Sequence, residues 1–197
     1  MKLMSVCTLL TTCLMTTSLL AQERHYSAMF SGADANATGS ATLVLSEDHS
    51  TLSYMIQLSG VDLGGQTATV DDDVIGLHFH NAPAGSNGPV VFGILGSPTL
   101  GGTLNPALTD DADDLMVDAV AGTISGAWEA SDTPALTASM LNELSQMELY
   151  LNVHTEGFRG GATRGQVIPE PASVVLGGLA LVGLVGWARR QRTVMSN

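Results

Sequence analysis

The chain has 197 residues, of which 45% are hydrophobic and 13% are charged, a length that suits one ordinary domain between two apolar ends. Residues 22–168 contain 18 Asp and Glu against 3 Arg, so this segment has a formal net charge of −15. Such a surface repels phosphate backbones, which excludes nucleic acid as a partner.

The first 21 residues have the pattern of a secretory signal peptide. Lys2 supplies a positive start, an apolar stretch diluted by Thr and Ser follows, and Ala21 ends it. We expect export with cleavage after Ala21, while a lipoprotein signal at Cys13 would need a longer apolar run before that residue. Because Cys7 and Cys13 leave with the peptide, the mature chain is expected to have no disulfide and no thiolate site.

The middle of the chain predicts a series of short strands. Apolar and polar residues alternate there in units separated by Gly, Pro, Asn and Asp turns. The predicted strands begin near Tyr26 and continue at 41–45, 52–59, 74–81, 90–95, 123–129, 149–155 and 163–168. Thr137–Gln146 predicts one or two helical turns with Thr137 as the N-cap. We therefore expect an all-β domain over 22–168, an antiparallel Greek-key or immunoglobulin-like sandwich.

Two acidic stretches, 71–73 and 110–114, lie in apparent loops of this domain. Calcium is one candidate ligand for them. Their spacing does not match an EF-hand loop, so solvated loops are the favoured interpretation.

Three histidines on predicted strands are candidate metal ligands. His78 and His80 alternate with Leu77 and Phe79, and His154 likewise lies on the non-core side of its strand. Two histidines at alternate strand positions are roughly 7 Å apart at Cα and can converge on one ion, with His154 as a third ligand if its strand is a neighbour. The expected metal is Zn or Cu. A His-x-His pair on a sandwich also resembles copper-zinc superoxide dismutases, but their bridging ligand and paired cysteines are missing.

The favoured alternative for the same histidines is structural. They would form hydrogen bonds with the 85–88 loop, with Asn152 and Thr155, and with the turn at Arg164, and so hold loops against the sheet. The sequence has no G-x-S-x-G, no phosphate-binding glycine loop and no H-E-x-x-H, so we assign no catalytic residue and expect no enzymatic activity.

Two motifs within this domain resemble the CHRD family. They are the segment Leu77–Val91 and, later, Leu151–Thr155 followed by Arg164-Gly165-Gln166, within a resemblance that runs over roughly Arg24–Ile168. The resemblance implies a β-sandwich and no particular reaction. It gives structural roles to Asn152, Thr155, Arg164, Gly165 and Gln166.

The C-terminal segment 169–192 resembles the PEP-CTERM sorting signal of certain bacteria. It consists of Pro169-Glu170-Pro171, an uncharged apolar run over 172–188, and the cluster Arg189, Arg190 and Arg192. A helix over the apolar run would extend about 25 Å, slightly short of a hydrocarbon core of roughly 30 Å. The arginines would keep the tail 193–197 in the cytoplasm and place the acidic domain outside. The resemblance implies cleavage by an exosortase, a membrane protease, near 169–171.

Together these segments predict an exported, non-enzymatic structural or binding module of the cell envelope or extracellular space. The helix would hold it transiently in the inner membrane, exosortase would process it, and extracellular polysaccharide or matrix is a candidate partner. Two alternatives stay open: a histidine-based metal-binding or redox domain, and a permanently anchored envelope protein.

Overall fold

The computed structural model describes residues 22–96, 111 and 113–170, and these form two antiparallel sheets and one helix. The elements are β1 (Arg24–Phe30), β2 (Thr38–Leu45), β3 (Thr51–Ser59), β4 (Val74–Asn81), β5 (Val90–Leu95), β6 (Met116–Asp118), β7 (Thr123–Glu129), α1 (Ala138–Ser145), β8 (Leu149–Thr155), β9 (Thr163–Gln166) and β10 (Ile168–Pro169). The prediction of an all-β domain is confirmed.

The strand order is β10-β1-β2-β3-β7-β6 in the larger sheet and β5-β4-β8-β9 in the smaller one. The short β10, at the end of the domain, returns beside β1. The immunoglobulin-like order is wrong for the described residues, since an immunoglobulin constant domain has its third strand in the second sheet. Here β3 stays with β2 because the two pair along their whole length.

The two sheets differ in how their faces are covered. In β3, Leu52, Tyr54 and Ile56 are buried while Ser53 and Met55 are exposed, as expected when one face packs on the core and the other meets water. In contrast, β8 is buried at every position and β4 at every position but its last. The smaller sheet is therefore covered on both faces, with the core on one side and loops on the other.

An aromatic cluster fills the space between the sheets. Phe79 of β4 lies with its ring centroid 5.6 Å from that of Trp128 and 6.4 Å from that of Phe92, and Tyr54 meets it edge-on at 6.3 Å. All four rings are buried. Because Phe79 stands between two histidines along its strand, the residue that anchors the core also sets the position of the histidines on the opposite face.

The predicted helix is confirmed as α1. Thr137 is its N-cap, with Oγ1 accepting a hydrogen bond from the Met140 backbone N–H at 3.3 Å, and Leu144 is its buried residue.

Several predicted features fall outside the described residues: the signal segment 1–21, Pro171, the apolar run 172–188, the cytoplasmic tail 193–197, and Arg189, Arg190 and Arg192. Within the described ranges, no helix is long and apolar enough to cross a membrane.

Candidate functional site

The three predicted histidines come together on the loop-covered face of the smaller sheet. Strands β4 and β8 pair in a register that sets His78 opposite Asn152 and Gly76 opposite His154. The neighbouring strands required for a shared site are therefore present. His78, His80 and His154 are 0%, 8% and 3% exposed.

Their rings form a compact triangle. The ring centroid of His78 is 5.9 Å from that of His80 and 5.2 Å from that of His154, and the third side is 5.8 Å. One ring nitrogen of each histidine can be chosen so that all three atoms lie within 4.8 Å of one another. The exposed His25 and His49 lie outside this group.

Backbone carbonyls of two loops fix the tautomer of two of these rings. Nδ1 of His80 is 2.9 Å from the Gly88 carbonyl oxygen, and Nδ1 of His154 is 2.9 Å from the Arg159 carbonyl oxygen. A carbonyl can only accept, so both Nδ1 atoms carry the proton when the imidazole is neutral. Each Nε2 therefore presents a lone pair.

The two Nε2 atoms have different surroundings. Nε2 of His154 accepts a hydrogen bond from the Asn152 side-chain amide at 3.1 Å. Nε2 of His80 is buried and has no hydrogen-bond partner among the described residues. Leaving a buried acceptor unsatisfied costs about 1–3 kcal/mol, so any group that bound this nitrogen would remove that cost.

Burial keeps His80 and His154 neutral. Burial lowers the pKa of His80; its hydrogen bond to the Gly88 carbonyl opposes this effect, and the charge of Arg164 adds to it. Burial likewise lowers the pKa of His154, against the hydrogen bond to Arg159. Since an ordinary histidine pKa is about 6.5, both imidazoles are neutral near pH 7, the form that binds metals.

A stack of side chains closes the site on one side. The Tyr150 ring stacks on His80 with centroids 4.9 Å apart, and the Arg164 guanidinium lies 3.6 Å from the Tyr150 centroid. Nη1 of Arg164 donates to the Ser86 carbonyl at 2.9 Å and to Oδ1 of Asn87 at 3.3 Å. Arg164 thus connects β9 to the loop after β4 through two hydrogen bonds from its guanidinium.

The other residues of the family motif also hold backbone in place. Nε2 of Gln166 donates to the Met147 carbonyl at 2.6 Å and to the Leu149 carbonyl at 3.0 Å. Thr155 accepts at Oγ1 from the Phe158 backbone at 3.3 Å. A Cβ on Gly165 would lie 3.1 Å from the Met29 carbonyl oxygen, so this glycine permits the close approach of β9 to β1.

A second buried polar group, missed by sequence reasoning, lies at the larger sheet. The Tyr54 hydroxyl donates to Oδ2 of Asp111, which is fully buried. Burial raises the pKa of Asp111 to about 7; the Tyr54 bond opposes this, and Asp114 adds to it. One carboxylate oxygen from each of Asp111, Asp113 and Asp114 lies within 4.8 Å of the others. Asp110, the first residue of this acidic stretch, lies outside the described residues.

This buried carboxyl predicts a pH dependence of stability. The folded chain keeps the proton up to about pH 7, whereas the unfolded chain releases it near pH 4, so the contribution of Asp111 is full below about pH 4 and is lost as the pH rises through about 7. Asp111→Asn keeps a neutral acceptor for Tyr54 and should gain stability relative to wild type from pH 5 to pH 8. Urea denaturation of both proteins across that range measures the difference in their free energies of unfolding. The histidines contribute equally to both proteins, so their contribution cancels in this difference. Parallel curves for the two proteins would contradict this assignment.

Two known family models match the chain. The CHRD domain model matches residues 20–167, which is most of the chain, so the chain belongs to the CHRD family. The PEP-CTERM protein-sorting motif matches residues 167–191. Both predicted resemblances are confirmed, and the chain is an exported protein with an exosortase sorting signal. No curated protein and no solved structure showed a match.

Proposed function

We propose that the exported product is a non-enzymatic structural or binding module of the cell envelope or extracellular matrix, released from a transient membrane anchor by exosortase. The observation that carries this proposal is the direct succession of the two family matches, 20–167 and 167–191. The whole sandwich is then the exported product, and the C-terminal tail is its sorting signal.

The fold supports cleavage just beyond the sandwich. Among the described residues the last buried apolar one is Val167, and β10 then pairs with β1 at Tyr26 and Ser27. The Glu170 backbone N–H donates to the His25 carbonyl oxygen at 2.9 Å. A cut near 169–171 would therefore remove no core residue, and the product would keep its packing.

The acidic surface limits the partners of such a module. With a formal net charge of −15 over 22–168, the domain would repel anionic polysaccharides at ordinary ionic strength. A neutral or cationic polysaccharide is the matrix partner that is compatible with this negative charge. Turnover by the purified chain in a screen of hydrolase and oxidoreductase substrates would contradict the non-enzymatic part of the proposal.

Processing is tested by the intact mass of the chain isolated from its own cells. We expect a product that begins after Ala21, ends near 169–171 and lacks Arg192, because exosortase removes the helix and the arginines. In cells without exosortase the chain should keep Arg192 and stay in the membrane fraction. A variant with Pro169 and Pro171 both replaced by alanine is the matched control and should also keep its tail. Recovery of Arg192 from wild-type cells would instead show a permanently anchored envelope protein.

A further inference from the structure

We propose that His78, His80 and His154 form a binding site for one divalent transition-metal ion, with Cu²⁺ bound more tightly than Zn²⁺. This function goes beyond the sorted structural module, which needs no metal. The three buried rings converge, and one nitrogen from each lies within 4.8 Å of the others.

The donor set determines the class of metal. All three ligands are imidazoles, and the chain's cysteines are at positions 7 and 13, outside the domain. Imidazole suits copper, zinc, iron and nickel, whereas calcium and magnesium require oxygen ligands. For a given nitrogen site the affinity order of divalent metals places Cu²⁺ above Zn²⁺.

Two of the three rings make the second hydrogen bond that is typical of metal ligands. In metal sites a histidine commonly donates its other N–H to a carbonyl or carboxylate, which fixes the ring and directs the free nitrogen at the ion. His80 and His154 do this through the carbonyls of Gly88 and Arg159, each at 2.9 Å. The buried Nε2 of His80, without a hydrogen-bond partner in the described part of the chain, is the atom that an ion would satisfy.

Binding requires a small closure of the triangle. For Zn²⁺, tetrahedral coordination at about 2.0–2.1 Å brings ligand nitrogens to roughly 3.3 Å from one another, so the nitrogens, now within 4.8 Å, must approach by up to about 1.5 Å. Cu²⁺ favours a tetragonal arrangement, in which neighbouring ligand nitrogens lie closer still. Three protein ligands leave a position for water or an anion.

Asn152 competes with the ion. Its amide donates to Nε2 of His154 at 3.1 Å, and this bond must break before that nitrogen can bind a metal. A variant without the amide should therefore bind metal more tightly, whereas a purely structural histidine cluster would only lose stability.

The first test is metal binding by the full chain, purified without a His-tag in detergent and stripped with a chelator. Calorimetric titration with Cu²⁺ or Zn²⁺, checked by elemental analysis, should give one ion per chain and a raised Tm. His80→Gln should weaken binding more than about 100-fold, since it removes a ligand. His25→Gln is the matched control, because His25 is exposed and outside the cluster, and it should leave binding unchanged. Sub-stoichiometric metal, or equal binding by wild type and His80→Gln, would overturn the proposal.

Two further measurements remain decisive if His80→Gln does not fold. Electron paramagnetic resonance of the wild-type Cu²⁺ complex should show nitrogen hyperfine coupling from three imidazoles, and coordination by oxygen alone would overturn the site. Asn152→Ala should bind Cu²⁺ several-fold more tightly than wild type. Unchanged or weaker binding by a folded Asn152→Ala would contradict the proposed geometry.

Discussion

Replacing Phe79 with alanine is expected to lower the free energy of unfolding by about 3–5 kcal/mol. The side chain is fully buried, and its ring meets those of Tyr54, Phe92 and Trp128 at the centre of the core. Its removal takes away the transfer free energy of the ring and leaves a cavity that the three remaining aromatic rings cannot fill without leaving their rotamers. Urea denaturation of the full chain in detergent measures the loss as a lower midpoint at an unchanged slope.

Two controls separate cavity formation from other effects of the substitution. Phe79→Leu keeps most of the volume and should cost about 1.5 kcal/mol or less. Met29→Ala removes a side chain that is 74% exposed on the outer face of β1 and should change stability by less than about 0.5 kcal/mol. A Phe79→Ala variant as stable as Met29→Ala would contradict the position of this ring in the core.

Most strands were predictable because period-two alternation is a local property. The predicted strands 74–81, 90–95, 123–129 and 149–155 agree with the observed bounds. The strand β6 was missed, and the predicted strand 163–168 joined β9 to the first residue of β10; all residues of β6 and β10 are exposed. Strands of three and two residues give too little alternation to detect, and their formation depends on the longer neighbours β7 and β1.

Strand order was less accessible to sequence reasoning than strand position. Alternation shows which face of β3 is buried but does not show which strand lies beside it, so the immunoglobulin-like order could not be tested from the sequence. The observed order depends on the long-range pairing of β3 with β7 and of β4 with β8.

The candidate site was predictable in its residues and only partly in its contacts. Alternation placed His78, His80 and His154 away from the core, and the structure brings them together. The predicted contacts of the histidines with the 85–88 loop and with Asn152 are confirmed, whereas the Arg159 carbonyl comes from a loop whose path no local pattern encodes. The burial of Asp111 beside Tyr54 was missed for the same reason, since an acidic loop normally remains in solvent.

Gly88→Ala is the second substitution with a large expected effect. A Cβ at this position would lie 1.7 Å from the Asn81 carbonyl oxygen and 2.9 Å from Cβ of Ala82, and backbone at the end of β4 cannot move aside cheaply. The loop must shift, which loosens the Gly88 carbonyl from Nδ1 of His80 and the Gly88 N–H from the Tyr150 hydroxyl. We expect a loss of at least about 3 kcal/mol from the overlap and the two hydrogen bonds.

Gly160→Ala is the matched control for this change, because an added Cβ there meets nothing within 4 Å. Its stability should stay within about 1 kcal/mol of wild type, since the substitution mainly restricts the unfolded chain.

Urea denaturation of both variants gives the difference in their free energies of unfolding, and Cu²⁺ titration of the folded fraction gives a second readout. If the Gly88 carbonyl directs His80 at an ion, Gly88→Ala should bind Cu²⁺ more weakly while Gly160→Ala binds normally. Equal stability of the two variants would contradict the close approach of this loop to β4, and equal copper affinity would show that His80 does not depend on the loop for its orientation.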